Sequence, residues 1–179
     1  TESIGLIKVN SVQGSGYSGN GQTICVIDSG INYSHSDLGG CSSDQFLSGS
    51  CTKVISGWDF FNNDNDPMDD HGHGTHVAGI TASSDATYKG VAPDAKLVGL
   101  KVCNAAGACS IAAQISALQW CRHNATKFNI SVITISIGDS TKNNDYCNND
   151  PRANEINTIV GQNIFVDISS GNDGFTNGI

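Results

Sequence analysis

No apolar run in this 179-residue chain reaches the roughly 18 residues that a membrane span requires, so a spanning segment is excluded. Basic residues are scarce: nine Lys and Arg stand against 17 Asp and Glu, for a net charge of −8. They are also scattered, which excludes the basic stripe of a nucleic-acid partner. Charged residues of both signs make up only 15% of the chain, below the roughly 25% of soluble proteins, while 38% are hydrophobic. Disorder needs the opposite balance. No C-x-x-C pair occurs among the seven cysteines, which removes a zinc ribbon or a thioredoxin-like motif. Internal repeats and linkers are absent as well, so residues 1–179 read as one domain or most of one. The chain opens on polar Thr1-Glu2-Ser3, and the expectation is that any secretory leader has been removed.

What is present begins with those cysteines, at 25, 41, 51, 103, 109, 121 and 147. Cys41/Cys51 and Cys103/Cys109 each bracket a short polar or Gly/Ala-rich stretch, as loop-closing disulfides do. Cys25 lies inside the apolar run Thr23–Asp28 and reads as a buried free thiol. So many cysteines point to a disulfide-permissive, extracytoplasmic setting.

Five β-branched runs, 23–28, 53–57, 97–102, 130–136 and 164–169, are nearly continuous in apolar residues. That is the pattern of parallel strands covered on both faces. Between them lie three helical stretches. Residues 73–82 are rich in small side chains, 111–124 space Ile111, Ile115 and Leu118 by four and three, and 152–162 bring Ile156 and Ile159 to one face with Val160 beside them. Strand and helix in alternation predict an α/β fold of three layers, αβα, with a mainly parallel central sheet. Ligand sites in such folds collect where strands end.

Three polar motifs fall at those places. Asp28-Ser29-Gly30 closes the first run, His71-Gly72-His73-Gly74-Thr75-His76 opens the first helix, and Ser169-Ser170-Gly171-Asn172 follows the last run. Asp28 alone is also what an Asx-turn at a strand end would supply. Together, Asp, His and Asn suit one chemistry. The carboxylate fixes the imidazole tautomer, the imidazole takes a proton from a nucleophile, and the amide donates to a developing oxyanion. The histidines admit a rival. His71, His73 and His76 form H-x-H-x-x-H, akin to a metallo-β-lactamase zinc run with Thr75 in place of its Asp. Only His35 and His123 remain to complete a zinc shell, and neither ends a buried strand.

The motifs D-S-G at 28–30, H-G-T-H-V-A-G at 73–79 and S-G-N at 170–172, with Gly90-Val91-Ala92-Pro93 and the segment 101–107 between them, resemble the subtilisin-like serine peptidases, the subtilases. The resemblance runs through essentially all 179 residues. It implies a secreted serine endopeptidase in which Asp28 and His73 are the triad acid and base and Asn172 is the oxyanion-hole donor. The family's nucleophile motif, G-T-S-x-A, does not occur in the chain, and neither Ser29 nor Ser170 stands in for it. The chain is therefore expected to be the N-terminal portion of a subtilisin-like domain, its sheet incomplete, inactive by itself, and partnered by a C-terminal fragment that carries the serine. A pseudopeptidase, in which the fold serves as a calcium-bearing binding module, is the rival reading. An inhibitory pro-segment before maturation is also implied.

The resemblance places peptide substrate as an added strand between Gly107, Ala108 and Cys109 on one side and Ser136, Ile137 and Gly138 on the other, with Ser169, Ser170 and Gly171 walling the specificity pocket. Residues 58–70 hold five Asp and three Asn, a density of carboxylates that a solvated loop or a cation must relieve. Thermitase-like members hold calcium in a loop at this spacing. By position Asp59 and Asp64 would offer side chains, and Asp66 and Met68 further ligand atoms. Asp37 matches an Asp of another family calcium site whose partner loop, 83–89, is short here. Asp167, a carboxylate in an otherwise apolar strand, must be paired, protonated or turned to a polar cavity. Asn32, Asn124 and Asn129 open N-x-S/T glycosylation sequons.

Overall fold

The computed structural model describes residues 5–138 and 148–173. After a short helix α1 (Val9–Gly14), the elements run β1 (Thr23–Asp28), α2 (Ser43–Leu47), β2 (Val54–Asp59), α3 (His73–Ala82), β3 (Lys96–Lys101), α4 (Ile111–Phe128), β4 (Ile130–Ile135), α5 (Ala153–Val160) and β5 (Phe165–Ile168). The five strands form one sheet in the order β2-β3-β1-β4-β5. Every pairing is parallel, with Cys25 level with Val98 on one side and Ile133 on the other.

Alternation along the central strand divides the core into two layers. Cys25 and Ile27 face Val98 and Leu100 of β3, Ile133 of β4, the helix residues Ala113, Ala117, Leu118 and Cys121, and Ile159 of α5. Ile24 and Val26 face the other way, toward Leu97, Ile31, Tyr33, Phe46, Val54 and the alanines 78 and 82 of α3. The fold is thus the αβα sandwich expected from the strand pattern. Gly74, Ala78 and Ala82, one turn apart, are the buried stripe of α3 and let that helix lie close to the sheet.

The structure differs from sequence expectation in three places. Helix α4 continues past Asn124 to Phe128 and stops at Asn129, whose φ of 54° and ψ of 48° form a left-handed cap. Its buried face is Ala113, Ala117, Leu118 and Cys121, while Ile111 is 45% exposed. Small residues, not isoleucines, make most of the contact with the sheet, as close approach of a helix requires. Cys25 is not a free thiol but is bonded to Cys121. Cys41–Cys51 and Cys103–Cys109 are bonded as their spacing suggested; Cys147 lies outside the described residues. The third difference is β5, which pairs only with β4 and leaves Phe165 66% and Ile168 46% exposed, so it is not covered on both faces.

Candidate active site

Asp28 is the last residue of β1 and His73 the first of α3. Gly30, with φ of 112°, turns the chain out of the strand. At Gly74 a Cβ would strike the carbonyl oxygen of Gly30 and the Cβ of Asp28, so only glycine lets the helix start on the strand end. The result is a direct bond: His73 Nδ1–H donates to Asp28 Oδ1 at 2.7 Å. The Asp28 side chain is 2% exposed and that of His73 45% exposed, so the carboxylate lies beneath the ring and the ring opens outward. The Ser29 N–H also donates to Asp28 Oδ1, at 2.7 Å. Asp28 Oδ2 is buried and takes no hydrogen bond from the described residues.

Around this pair lies polar support that motif reading passed over. Asp69 Oδ1 accepts from Ser29 Oγ and from the N–H groups of His71 and Gly72. Its Oδ2 accepts from the N–H and the hydroxyl of Thr75. Burial works to raise the Asp69 carboxyl, but the bonds from Thr75, Gly72 and His71 outweigh it and hold the group below the ordinary carboxylate range. Lys101, 1% exposed at the end of β3, donates to the carbonyls of Ser29 and Cys103 at 3.0 and 2.9 Å and to Asp70 Oδ1 at 2.5 Å. A lysine within the apolar run 97–102 was a visible signal, because an ammonium is seldom buried without partners.

The proposed substrate segments fall into two groups. Gly107 to Cys109 form the far limb of a small hairpin, with Cys103 and Cys109 bridged as antiparallel partners and the Asn104 side chain accepting from the N–H groups of Ala106 and Ala108. A Cβ on Gly107 would lie 3.0 Å from His71 Nε2, and the rings of His71 and His73 are 6.4 Å apart, so this limb borders the pair. Ser136 to Gly138 and Ser169 to Gly171 meet each other: the Ser169 N–H donates to the carbonyl of Ile135 at 3.1 Å, and a Cβ on Gly138 would lie 3.6 Å from Gly171 Cα. Asn172 follows, exposed, in the loop after β5. Asp167 faces a cavity of about 250 Å³ lined by Val77, Ile80, Thr81, Thr134, Ser136 and Ser169, and accepts a long bond from the Thr134 hydroxyl.

The acidic loop is tied to itself. Asp59 and Asp64 pair through their backbones, and both carboxylate oxygens of Asp59 accept from loop groups: Phe61 N–H, Asn62 N–H and the Asn62 amide. Asp64 Oδ1 accepts from Asp66 N–H, and Asp66 Oδ1 from the Tyr33 hydroxyl and Met68 N–H. Among the described residues no three His, Cys, Asp or Glu side chains gather as a metal cluster, and this applies equally to the histidines 71, 73 and 76.

Comparison with known proteins agrees with this geometry. The sequence profile of the subtilase family, Peptidase_S8, matches residues 19–178. The chain is 34% identical over 168 residues to serine protease AprX of Bacillus subtilis, covering 90% of this chain and 35% of that protein. It is 37% identical over 137 residues to subtilisin DY of Bacillus licheniformis, covering 75% and 43%. In three dimensions it is similar to a cold adapted subtilisin-like serine proteinase, with a TM-score of 0.66 and 28% identity over 87% of this chain and 48% of that one. The chain therefore spans less than half the length of these relatives. A matching family profile over nearly its whole length, and a strand-end carboxylate bonded to a helix-start imidazole, lead to one conclusion: the chain belongs to the subtilase family.

Proposed function

We propose that this chain is the N-terminal portion of a subtilisin-like serine endopeptidase domain, contributing acid and base to an Asp-His-Ser triad whose serine is carried on a C-terminal portion. The observation that carries the reading is the 2.7 Å bond between a buried carboxylate and an outward-facing imidazole. Asp28, accepting from Nδ1–H, leaves Nε2 as the free base. Nε2 then takes the serine proton during attack and returns it to the leaving amine, while Asp28 stabilises the imidazolium. Asp28 Oδ2, which takes no hydrogen bond from the described residues, supports this, since a buried carboxylate short of donors gains most when the ring beside it becomes a cation.

Asn172 is proposed to donate to the oxyanion, and the segments 107–109 and 136–138 to pair with peptide substrate as sheet edges. The exposed Phe165 and Ile168 of β5 give the C-terminal portion an apolar edge to cover. Three disulfides among the described residues suit a secreted protein. An inhibitory pro-segment belongs to the same reading. Calcium is proposed for the acidic loop from its chemistry of hard oxygens: Asp64 Oδ2 and Asp66 Oδ2 take no hydrogen bond from the described residues. Asp59 is already engaged, so a cation would be held through the outer carboxylates and backbone carbonyls near Met68, and its effect would be to stiffen the loop. A rise in thermal midpoint with calcium, removed by a chelator, tests it.

The test of the function is mass spectrometry of the natural material for a serine-bearing polypeptide, joined to or associated with this chain, followed by a fluorophosphonate label. Labelling at that serine supports the peptidase. A partner with no reactive serine supports the inactive, binding-module reading instead.

A further inference from the structure

We propose that Asp69 is a positioning residue for the Asp28–His73 pair, an acceptor that fixes the helix start to the strand end without touching either member. This role rests on the peptidase reading and adds to it a residue that acts through the two it holds.

Five donors converge on the two oxygens of Asp69: Ser29 Oγ at 2.9 Å, His71 N at 3.0 Å and Gly72 N at 2.9 Å on Oδ1, then Thr75 N at 2.9 Å and Thr75 Oγ1 at 2.5 Å on Oδ2. Neither hydroxyl is free to change roles. Ser29 Oγ accepts from the Gly74 N–H and Thr75 Oγ1 from the Asn32 N–H, both at 2.9 Å, so each must give its single proton to Asp69. Only an ionised carboxylate accepts on both sides. An asparagine would turn an NH2 group toward donors whichever way it was placed.

The partners explain the consequence. Ser29 is the residue after Asp28, and Gly72 and Gly74 flank His73. The connecting backbone is glycine in the left-handed region at Gly30, φ 112°, and at Gly72, φ 100°. Glycines leave the approach of helix to strand locally undetermined, and the Asp69 bonds supply the restraint. Lys101 holds Ser29 from the other side through its carbonyl. The lowered Asp69 carboxyl is consistent with a group that must stay ionised.

The experiment uses Asp69→Asn in the complete peptidase domain, with Ser29→Ala as a second variant that removes one of the five bonds to Asp69 together with the acceptor of the Gly74 N–H. Misplacement of a base by a fraction of an ångström is expected to lower kcat about 10- to 100-fold for Asp69→Asn, and several-fold for Ser29→Ala, with KM within about threefold. A wild-type kcat for both variants, whatever happens to the thermal midpoint, overturns the proposal, since a merely structural residue would change stability and leave turnover alone. A second readout needs no turnover. The His73 Nδ1–H proton, followed by NMR in the complete domain, should give a signal in wild type that broadens or vanishes in Asp69→Asn while circular dichroism stays unchanged. A signal equal to wild type also overturns it. Should the wild-type domain hydrolyse no peptide, the peptidase reading fails on its own, and the NMR comparison still decides the role of Asp69. Should Asp69→Asn not fold, the Ser29→Ala kinetics and its NMR signal decide it.

Discussion

Cys25, at the centre of β1, is bonded to Cys121 of α4 across 96 positions of sequence. The bond joins the middle strand of the sheet to the helix that covers one face, and both residues are fully buried. Closing so long a loop restricts the unfolded chain strongly. Replacing both cysteines by alanine is expected to cost about 4 kcal/mol or more of unfolding free energy, read from urea denaturation. A loss under about 1 kcal/mol would show that the helix is held by packing alone.

The Cys103–Cys109 bridge, six positions apart, closes the hairpin whose far limb is the proposed substrate edge. A stiff edge loses less entropy when a peptide pairs with it. Selective reduction of this bond in the complete domain is therefore expected to raise KM more than it lowers kcat. Unchanged kinetics after verified reduction would remove the edge from substrate binding.

Acid should act in part through Asp69, alongside Asp150, which Arg152 holds below the ordinary range. The folded Asp69 carboxyl lies below the ordinary value, so its bonds stabilise the fold fully above about pH 4 and are lost as pH falls through the depressed value. Thermal midpoints measured from pH 6 downward should fall on that limb, and the fall should be shallower in Asp69→Asn, which has no such group to protonate. Parallel curves for the two proteins would contradict the assignment.

Asn172→Ala in the complete domain is expected to lower kcat about 10²- to 10³-fold, the usual loss for one oxyanion donor. A change below tenfold would assign that role elsewhere.

Much of this was legible in the residues, and the misses have physical causes. The run 23–28 is apolar because β1 is covered on both faces, so strand and strand end could be placed from pattern alone. Asp28 and His73 were legible as motif positions, 45 apart, though only the fold places them at 2.7 Å. The partner of Cys25 was not legible, because an apolar neighbourhood suits a buried thiol and a buried disulfide equally. The buried face of α4 was misplaced because isoleucine spacing outweighed the alanines at 113 and 117, and small residues win where a helix must sit close to a sheet. The acidic loop displays its charges in sequence but hides the bonds that neutralise them, such as the two backbone N–H groups on Asp59. Asp69 was hidden in the same way, one carboxylate among five.

The most direct measurement is the kcat of Asp28→Asn in the serine-bearing domain, alongside its His73 Nδ1 resonance. If the buried carboxylate sets the tautomer of His73, kcat falls about 10⁴-fold while the fold and substrate affinity persist. An Asp28→Asn enzyme within tenfold of wild type would contradict the account.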